Sequence, residues 1–222
     1  MSTLQFMMSR YDRVFYLTWE HIWIVGLALV IATLIGVPLG VLITKHEQLA
    51  KRVLNAANVL MTIPSIALFG LMLPILSVVD MGLGKVPAVI ALVLYSQLPI
   101  IRNTYTAIKN VPPAVVDAGK GMGMNKWELL KELEIPISVP VILAGLRTAA
   151  VMNIGIAAIA SYIGAGGLGV FIQQGINRVY PEMILSGAIL VSLLAIVVDG
   201  GMGLLEYLIT PMGIKIQRKI MR

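Results

Sequence analysis

Zero cysteines and only two histidines, His21 and His46, limit the chemistry open to this chain of 222 residues. Without a thiol there is no disulfide framework, thiolate nucleophile or cysteine-held metal, and two imidazoles far apart in sequence do not make a metal centre. The stretch Gly164-Ala-Gly-Gly-Leu-Gly169 satisfies G-x-G-x-x-G. A dinucleotide site, however, needs a strand before that motif and an acid about 20 residues beyond it, whereas a long apolar run precedes it here. A phosphate-binding loop needs G-x-x-x-x-G-K-[ST]; Gly84-Lys85 is followed by Val86, and position 79 is Val79. The expectation is therefore a chain with no catalytic, cofactor-binding or metal-ligating residues, in which ATP hydrolysis is not performed.

The elements that would carry any site are set by hydropathy. Hydrophobic residues make up 58% of the chain, charged ones 13%, and the mean hydropathy is +0.90. A spanning helix needs about 20 residues nearly free of charge, and the runs 21–44, 53–79 and 148–177 contain no Asp, Glu, Lys or Arg. The pattern predicts an all-α membrane protein with spans at about 22–44, 54–76, 87–105, 137–162 and 182–209. Residues 1–20, with Phe15, Tyr16 and Trp19 among charges, read as an interfacial segment rather than a signal peptide. A transmembrane domain over 21–211 then includes a cytoplasmic loop at 106–136, and a basic tail follows at 212–222. A glycine-rich break after the fourth span leads to a short segment at 168–175 near the outer face.

Basic residues orient this bundle, because short cytoplasmic connections collect Lys and Arg. Lys45, Lys51 and Arg52 lie in one connection, Lys109, Lys120, Lys126 and Lys131 in the long loop with Arg102 at its edge, and Lys215, Arg218, Lys219 and Arg222 in the tail. Opposite connections hold Lys85 and Arg178. The N-terminus is thus expected outside and the C-terminus inside. The net charge of +6 reports topology in a lipid bilayer and not a nucleic-acid partner.

Some polar groups fall within the spans. Asn55, Asn58, Thr62 and Ser65 recur at helical spacing, a stripe that either lines a solute path or bonds a neighbouring helix. Pro64 in the same span marks a hinge or a kink. Arg147 and Asp199 fall at matching depth, each about ten residues or about 15 Å from the cytoplasmic end of its span. Charges at that depth face each other or a wet cavity, so an ion pair is expected. An intramembrane enzyme would need paired acids or a histidine cluster, and a proton-coupled carrier would have to work through Asp199 alone.

The long loop reads as two short helices around a turn. Pro112 and Pro113 suit a helix start, Gly121 and Gly123 a break, Asn125 with Glu128 a capping box, and Pro136 a stop. The second helix would be too short to stand alone in water, and it is expected to expose Trp127, Leu130 and Leu133.

Asp117-Ala118-Gly119, Gly123 four residues on, and then Leu133, Ile135 and Pro136 resemble the "EAA" loop of the permease subunits of bacterial ABC importers. Asp117 stands where that family usually has Glu, and Gly119 where it has Ala. The resemblance implies a five-transmembrane-helix ABC importer permease fold with cytoplasmic coupling helices. It also implies that Asp117, Ala118, Gly119, Gly123, Trp127, Leu130, Leu133 and Pro136 dock on a separate ATPase subunit, which would hold the ATP and Mg. The stretches Met61-Thr-Ile-Pro-Ser65, Arg102-Asn-Thr-Tyr-Thr-Ala-Ile108 and Tyr162-Ile-Gly-Ala-Gly-Gly-Leu-Gly169 resemble permeases of osmoprotectant importers that carry glycine betaine, carnitine, choline or proline betaine. Methionine importer permeases are the alternative of similar size. The implied partners are the ATPase, a second permease (identical or homologous) and an extracytoplasmic substrate-binding protein, all at a bacterial cytoplasmic (inner) membrane. For such solutes Tyr95 or Tyr162 could offer an aromatic face to a quaternary ammonium, or serve as an interface anchor.

Overall fold

The computed structural model describes residues 2–210, and the described residues form helices and turns without strands. In chain order the helices are α1 (Thr3–Ser9), α2 (Tyr11–Ile43), α3 (Glu47–Thr62), α4 (Ser65–Ser77), α5 (Lys85–Lys109), α6 (Pro113–Gly121), a single turn α7 (Lys126–Glu128), α8 (Ile135–Ala160), α9 (Gly169–Asn177) and α10 (Pro181–Ile209). The basic tail expected at 212–222 lies outside the described residues.

The first spanning helix starts at Tyr11, well before the expected Ile22. Its 33 residues make about 50 Å at 1.5 Å each, longer than a hydrocarbon layer of about 30 Å. Residues 11–20 are thus continuous with the span. Only α1 is a separate piece, closed by a capping box between Ser2 and Gln5. It is not frayed: Phe6 is buried, edge-on to Phe171 at 5.9 Å and to Tyr180 at 5.5 Å, and Arg10 lies 5.2 Å from its ring centre.

The second expected span is not one helix. α3 and α4 meet at a bend of 99°. Pro64 removes a backbone donor and forces the preceding residue out of the helical region, and Ile63 is accordingly extended at φ −73° and ψ 125°. The polar stripe is therefore cut, with Asn55, Asn58 and Thr62 on α3 and Ser65 at the start of α4.

Pro136 does not stop its helix either. A helical run continues from Lys126 to Ile163, because residues Leu129–Glu134 widen into a π-helix. Ile135 N–H donates to the Leu130 carbonyl, five residues back. This wider turn accommodates a ring that would clash with the carbonyl four residues earlier in a regular ladder.

Helices α2, α5 and α8 form the centre, and small residues let them approach. Ala28, Ala32, Ala88, Ala91, Ala149 and Ala157 are buried there with Ile24, Leu92 and Ile154. Gly36 and Gly40, spaced as in close membrane helix pairs, lie against α5: a Cβ on Gly40 would stand 2.6 Å from Thr104 Cβ and 3.2 Å from the Ile101 carbonyl. Outside this centre many large apolar side chains are bare, including Leu34, Ile75, Leu193 and Ile196. That distribution suits lipid, where no hydrophobic force drives helices together and fit does.

The contact at Gly40 generates a stability test. Gly40→Val should overpack the α2/α5 seam and lower stability in detergent by about 1–3 kcal/mol. Gly26→Ala, where an added Cβ meets nothing within 4 Å, should leave stability unchanged or raise it by up to about 1 kcal/mol through helix propensity. Thermal unfolding of the two variants side by side checks this; equal melting would show that the seam is not close-packed.

Candidate functional site

Three places gather the polar and reactive side chains, and the first is the hairpin of α6 and α7. Pro113 opens α6. Gly123 turns the chain at φ +86°, a conformation that side-chain-bearing residues rarely adopt. Asn125 then restarts the helix: its side-chain oxygen accepts from Trp127 N–H at 2.9 Å and Glu128 N–H at 3.0 Å, and Glu128 accepts from Asn125 N–H at 2.7 Å. The hairpin also carries its own small core. Gly119 is buried, and a Cβ there would lie 2.6 Å from Leu129 and 2.7 Å from Leu133.

That core changes which residues are on the surface. Leu130 is buried and Leu133 half-buried, so the expected apolar face of Trp127, Leu130 and Leu133 is not exposed as a unit. The π-helical turn directs the leucines inward to satisfy the hairpin itself. Trp127 at 67% and Met122 at 71% exposure remain bare at the tip, with Asp117 and Ala118 exposed beside them and Pro136 half-buried. Met122 was not singled out in the sequence; its place between Gly121 and Gly123 is the signal, since an apolar residue in a glycine turn has nowhere to hide. Asp117 accepts from Lys120 Nζ at 3.0 Å. Between the hairpin and the end of α2 lies a cleft of about 450 Å3 whose lining includes Lys45, Lys109, Lys120 and Lys126. The basic residues of two connections thus share one end of the bundle.

The second place is the opposite end, around the glycine-rich turn. Gly164, Gly166 and Gly167 all have positive φ. Glu20 accepts from Gly167 N–H at 2.8 Å and pairs with Lys85 Nζ at 2.7 Å. His21 is fully buried; Nδ1 accepts from Leu168 N–H at 3.2 Å, so Nε2 carries the hydrogen and donates to the Ile154 carbonyl at 3.1 Å. Gly84 N–H donates to the Ile163 carbonyl at 2.8 Å. Two of the glycines serve close approach: a Cβ on Gly166 would fall 2.0 Å from Glu20 Oε2 and one on Gly167 2.8 Å from His21 Nδ1. In the sequence Lys85 stands out only as a charge and His21 only as one of two separated imidazoles, and no spacing signal links residues 20 and 167.

The third place is within the spans. Arg147 on α8 forks onto Asp199 on α10, Nε donating to Oδ1 and the terminal NH2 nitrogen to Oδ2. Their side chains are 37% and 42% exposed, and they border a cavity of about 430 Å3 with Thr148, Val151 and Met152. Asn55, Asn58 and Thr62 are exposed on α3, Ser65 is half-buried, and the Thr62 hydroxyl donates to the Val59 carbonyl at 2.7 Å. Tyr95 is buried, and its hydroxyl donates to the Ile63 carbonyl, between Thr62 and Ser65 at the break of α3 and α4.

Residues 32–210 match the family described as binding-protein-dependent transport system inner membrane component. Over 215 residues the chain is 50% identical to the osmoprotectant import permease protein OsmW of Salmonella typhimurium, covering 97% of this chain and 100% of that one. It is 41% identical over 217 residues to the glycine betaine/carnitine/choline transport system permease protein OpuCB of Bacillus subtilis, covering 98% of each. An inward-facing structure of the MetNI methionine ABC transporter superposes with a TM-score of 0.80 over 90% of this chain and 98% of the other, at 21% identity, which bears on the fold alone.

The cap at Asn125 is testable without any partner. Asn125→Ala removes the acceptor of two N–H groups and should cost the hairpin about 1 kcal/mol. Limited trypsin treatment should then cleave at Lys120 and Lys126 about five times faster, because cleavage follows the population of the open form. Unchanged cleavage would show that the cap does not hold the hairpin closed.

Proposed function

Because this chain belongs to the family of binding-protein-dependent transport system inner membrane components, we propose that it is the pathway-forming permease subunit of an ATP-driven importer for an osmoprotectant such as glycine betaine, carnitine or choline. The chain is an inner-membrane permease of the ABC importer type, with several helices long and apolar enough to cross the bilayer. Its solute class is inferred from the relatives: those named for osmoprotectants align over nearly the whole chain at 41–50% identity, against 21% for the methionine transporter.

Coupling is the part carried by geometry. The observation behind it is the capped hairpin with Trp127 and Met122 bare at its tip. An exposed indole on a rigid, short element is the type of group that anchors protein interfaces. In this reading the tip sits in a groove of the ATPase, which holds ATP and Mg, and the continuous run Lys126–Ile163 conveys its displacement into the bilayer. A second permease, identical or homologous, completes the pathway, and an extracytoplasmic binding protein delivers solute at the end closed by Glu20, His21 and Lys85. The lysine-lined cleft supports placing the hairpin end in the cytoplasm and the α1 end outside.

Two outcomes are expected. In proteoliposomes holding the whole complex, Trp127→Glu should leave the permease inserted and ATP hydrolysis running, while glycine betaine uptake falls by about tenfold or more, the loss of one interface anchor. Full uptake in that variant would remove the hairpin tip from the coupling path. For topology, single cysteines at Ser2 and Lys126, placed in a chain that has none, should react with impermeant reagent from opposite sides of the membrane. Labelling from one side only would overturn the orientation.

A further inference from the structure

Arg147 and Asp199 belong neither to the hairpin nor to the end closed by Glu20, His21 and Lys85. Arg147 lies at the middle of α8 (Ile135–Ala160), and Asp199 lies about 15 Å from the Ile209 end of α10 at 1.5 Å per residue. Both are therefore well inside the hydrocarbon layer. Each side chain nonetheless keeps more than a third of its surface uncovered by this chain. Ionised groups at such depth face a bundle interior or a water-filled cavity, and the bundle's own interior does not enclose these two. The α10 surface around them is notched by Gly200 and Gly201, which have open space around them, while Leu193, Ile196, Val197 and Leu204 on the same helix are exposed and apolar. At about 100° per residue Leu193, Val197 and Leu204 point away from Asp199, while Ile196, one turn before it, borders its face.

A closed Arg–Asp fork is neutral overall but strongly dipolar, and its counterpart is a molecule with the same two charges reversed. A betaine has a carboxylate and a quaternary ammonium a few ångströms apart. Its carboxylate can take the guanidinium fork that Asp199 occupies, a bidentate geometry specific to Arg and carboxylate. The freed Asp199 carboxylate then meets the ammonium, which has no N–H to satisfy and needs only a close negative charge and apolar contact for its methyl groups. Val151 and Met152 line the same cavity. The exchange replaces one ion pair by two and strands no charge. On this chain alone the depression of about 430 Å3 is open on one side.

We propose that Arg147 and Asp199 form a transit site for a zwitterionic quaternary-ammonium solute, opening their mutual pair to bind its carboxylate and its ammonium. The site rests on the reading of the chain as an osmoprotectant permease. A pair serving only as a helix tie is replaceable by apolar contact, and this separates the two roles.

The test uses the complete complex in proteoliposomes with radiolabelled glycine betaine. Arg147→Leu combined with Asp199→Leu should assemble and hydrolyse ATP, yet lose uptake by about tenfold or more, the effect of deleting a charge-assisted contact. Uptake at the wild-type rate in that double variant overturns the site. A second measurement holds even if the double variant fails to assemble. Thr148 is exposed beside the pair, and the chain has no cysteine. Thr148→Cys should therefore react with an impermeant methanethiosulfonate, and glycine betaine should slow that reaction during turnover. No reaction, or the same rate with and without solute, overturns the site. A wild-type complex that moves no glycine betaine, carnitine or choline refutes the proposed function itself, and the transit site with it.

Discussion

In hydrocarbon no water replaces a lost hydrogen bond, so a bare backbone carbonyl or N–H costs several kcal/mol. Three irregular points in this bundle are accordingly matched by a side chain or a changed ladder. Where Pro64 breaks the second span, the Tyr95 hydroxyl reaches across from α5 to the Ile63 carbonyl. Where Pro136 would block a regular helix, the chain takes a π-helical turn and keeps the ladder closed. Where the glycine-rich turn leaves two N–H groups, Glu20 and His21 accept them. The bends are consequently fixed in place and do not depend on local flexibility.

This requirement also separates the two ends. At the end closed by Glu20, His21 and Lys85, four segments are tied together: the start of α2, the start of α5, the 164–168 turn and, through Phe6, α1. At the other end the hairpin is held mainly by its own cap and by Gly119 against Leu129 and Leu133. A movement delivered to the hairpin thus meets a stiff local unit before it meets the bundle. The run from Lys126 to Ile163 joins that unit to the Ile163 carbonyl, which bonds Gly84 at the opposite end. One continuous element therefore connects both faces.

The sequence shows those features that hydropathy and short-range chemistry control. Charge-free runs locate the spans, and Asn125 with Glu128 announces a cap that the hydrogen bonds contain. What it leaves open depends on pairs distant along the chain. Pro64 is visible, but whether it kinks or breaks the span depends on a partner for the freed carbonyl, and Tyr95 is 32 positions away. Pro136 reads as a stop because a π-helical turn leaves no compositional trace. Leu130 and Leu133 read as exposed because the partner that covers Leu133, Gly119, has no side chain to suggest packing. Glu20 and His21 find their acceptor roles 147 positions away.

The same comparison of local against tertiary terms accounts for the two residues in the hairpin that differ from the usual family pattern. Gly119 stands where Ala is usual and gives up about 1 kcal/mol of helix propensity. An Ala there would place its Cβ 2.6 Å from Leu129 and 2.7 Å from Leu133, and overpacking of that kind costs about 1–3 kcal/mol unless both leucines move. Both contacts are to terminal methyl groups of leucines in the π-helical turn that carries the chain past Pro136, so an Ala there would be met by a shift of those side chains. Asp117, one methylene shorter than Glu, is exposed and paired with Lys120 three residues on. Its carboxylate stays on the same face of α6 as a Glu would, closer to the backbone, and the negative charge beside the bare tip is retained.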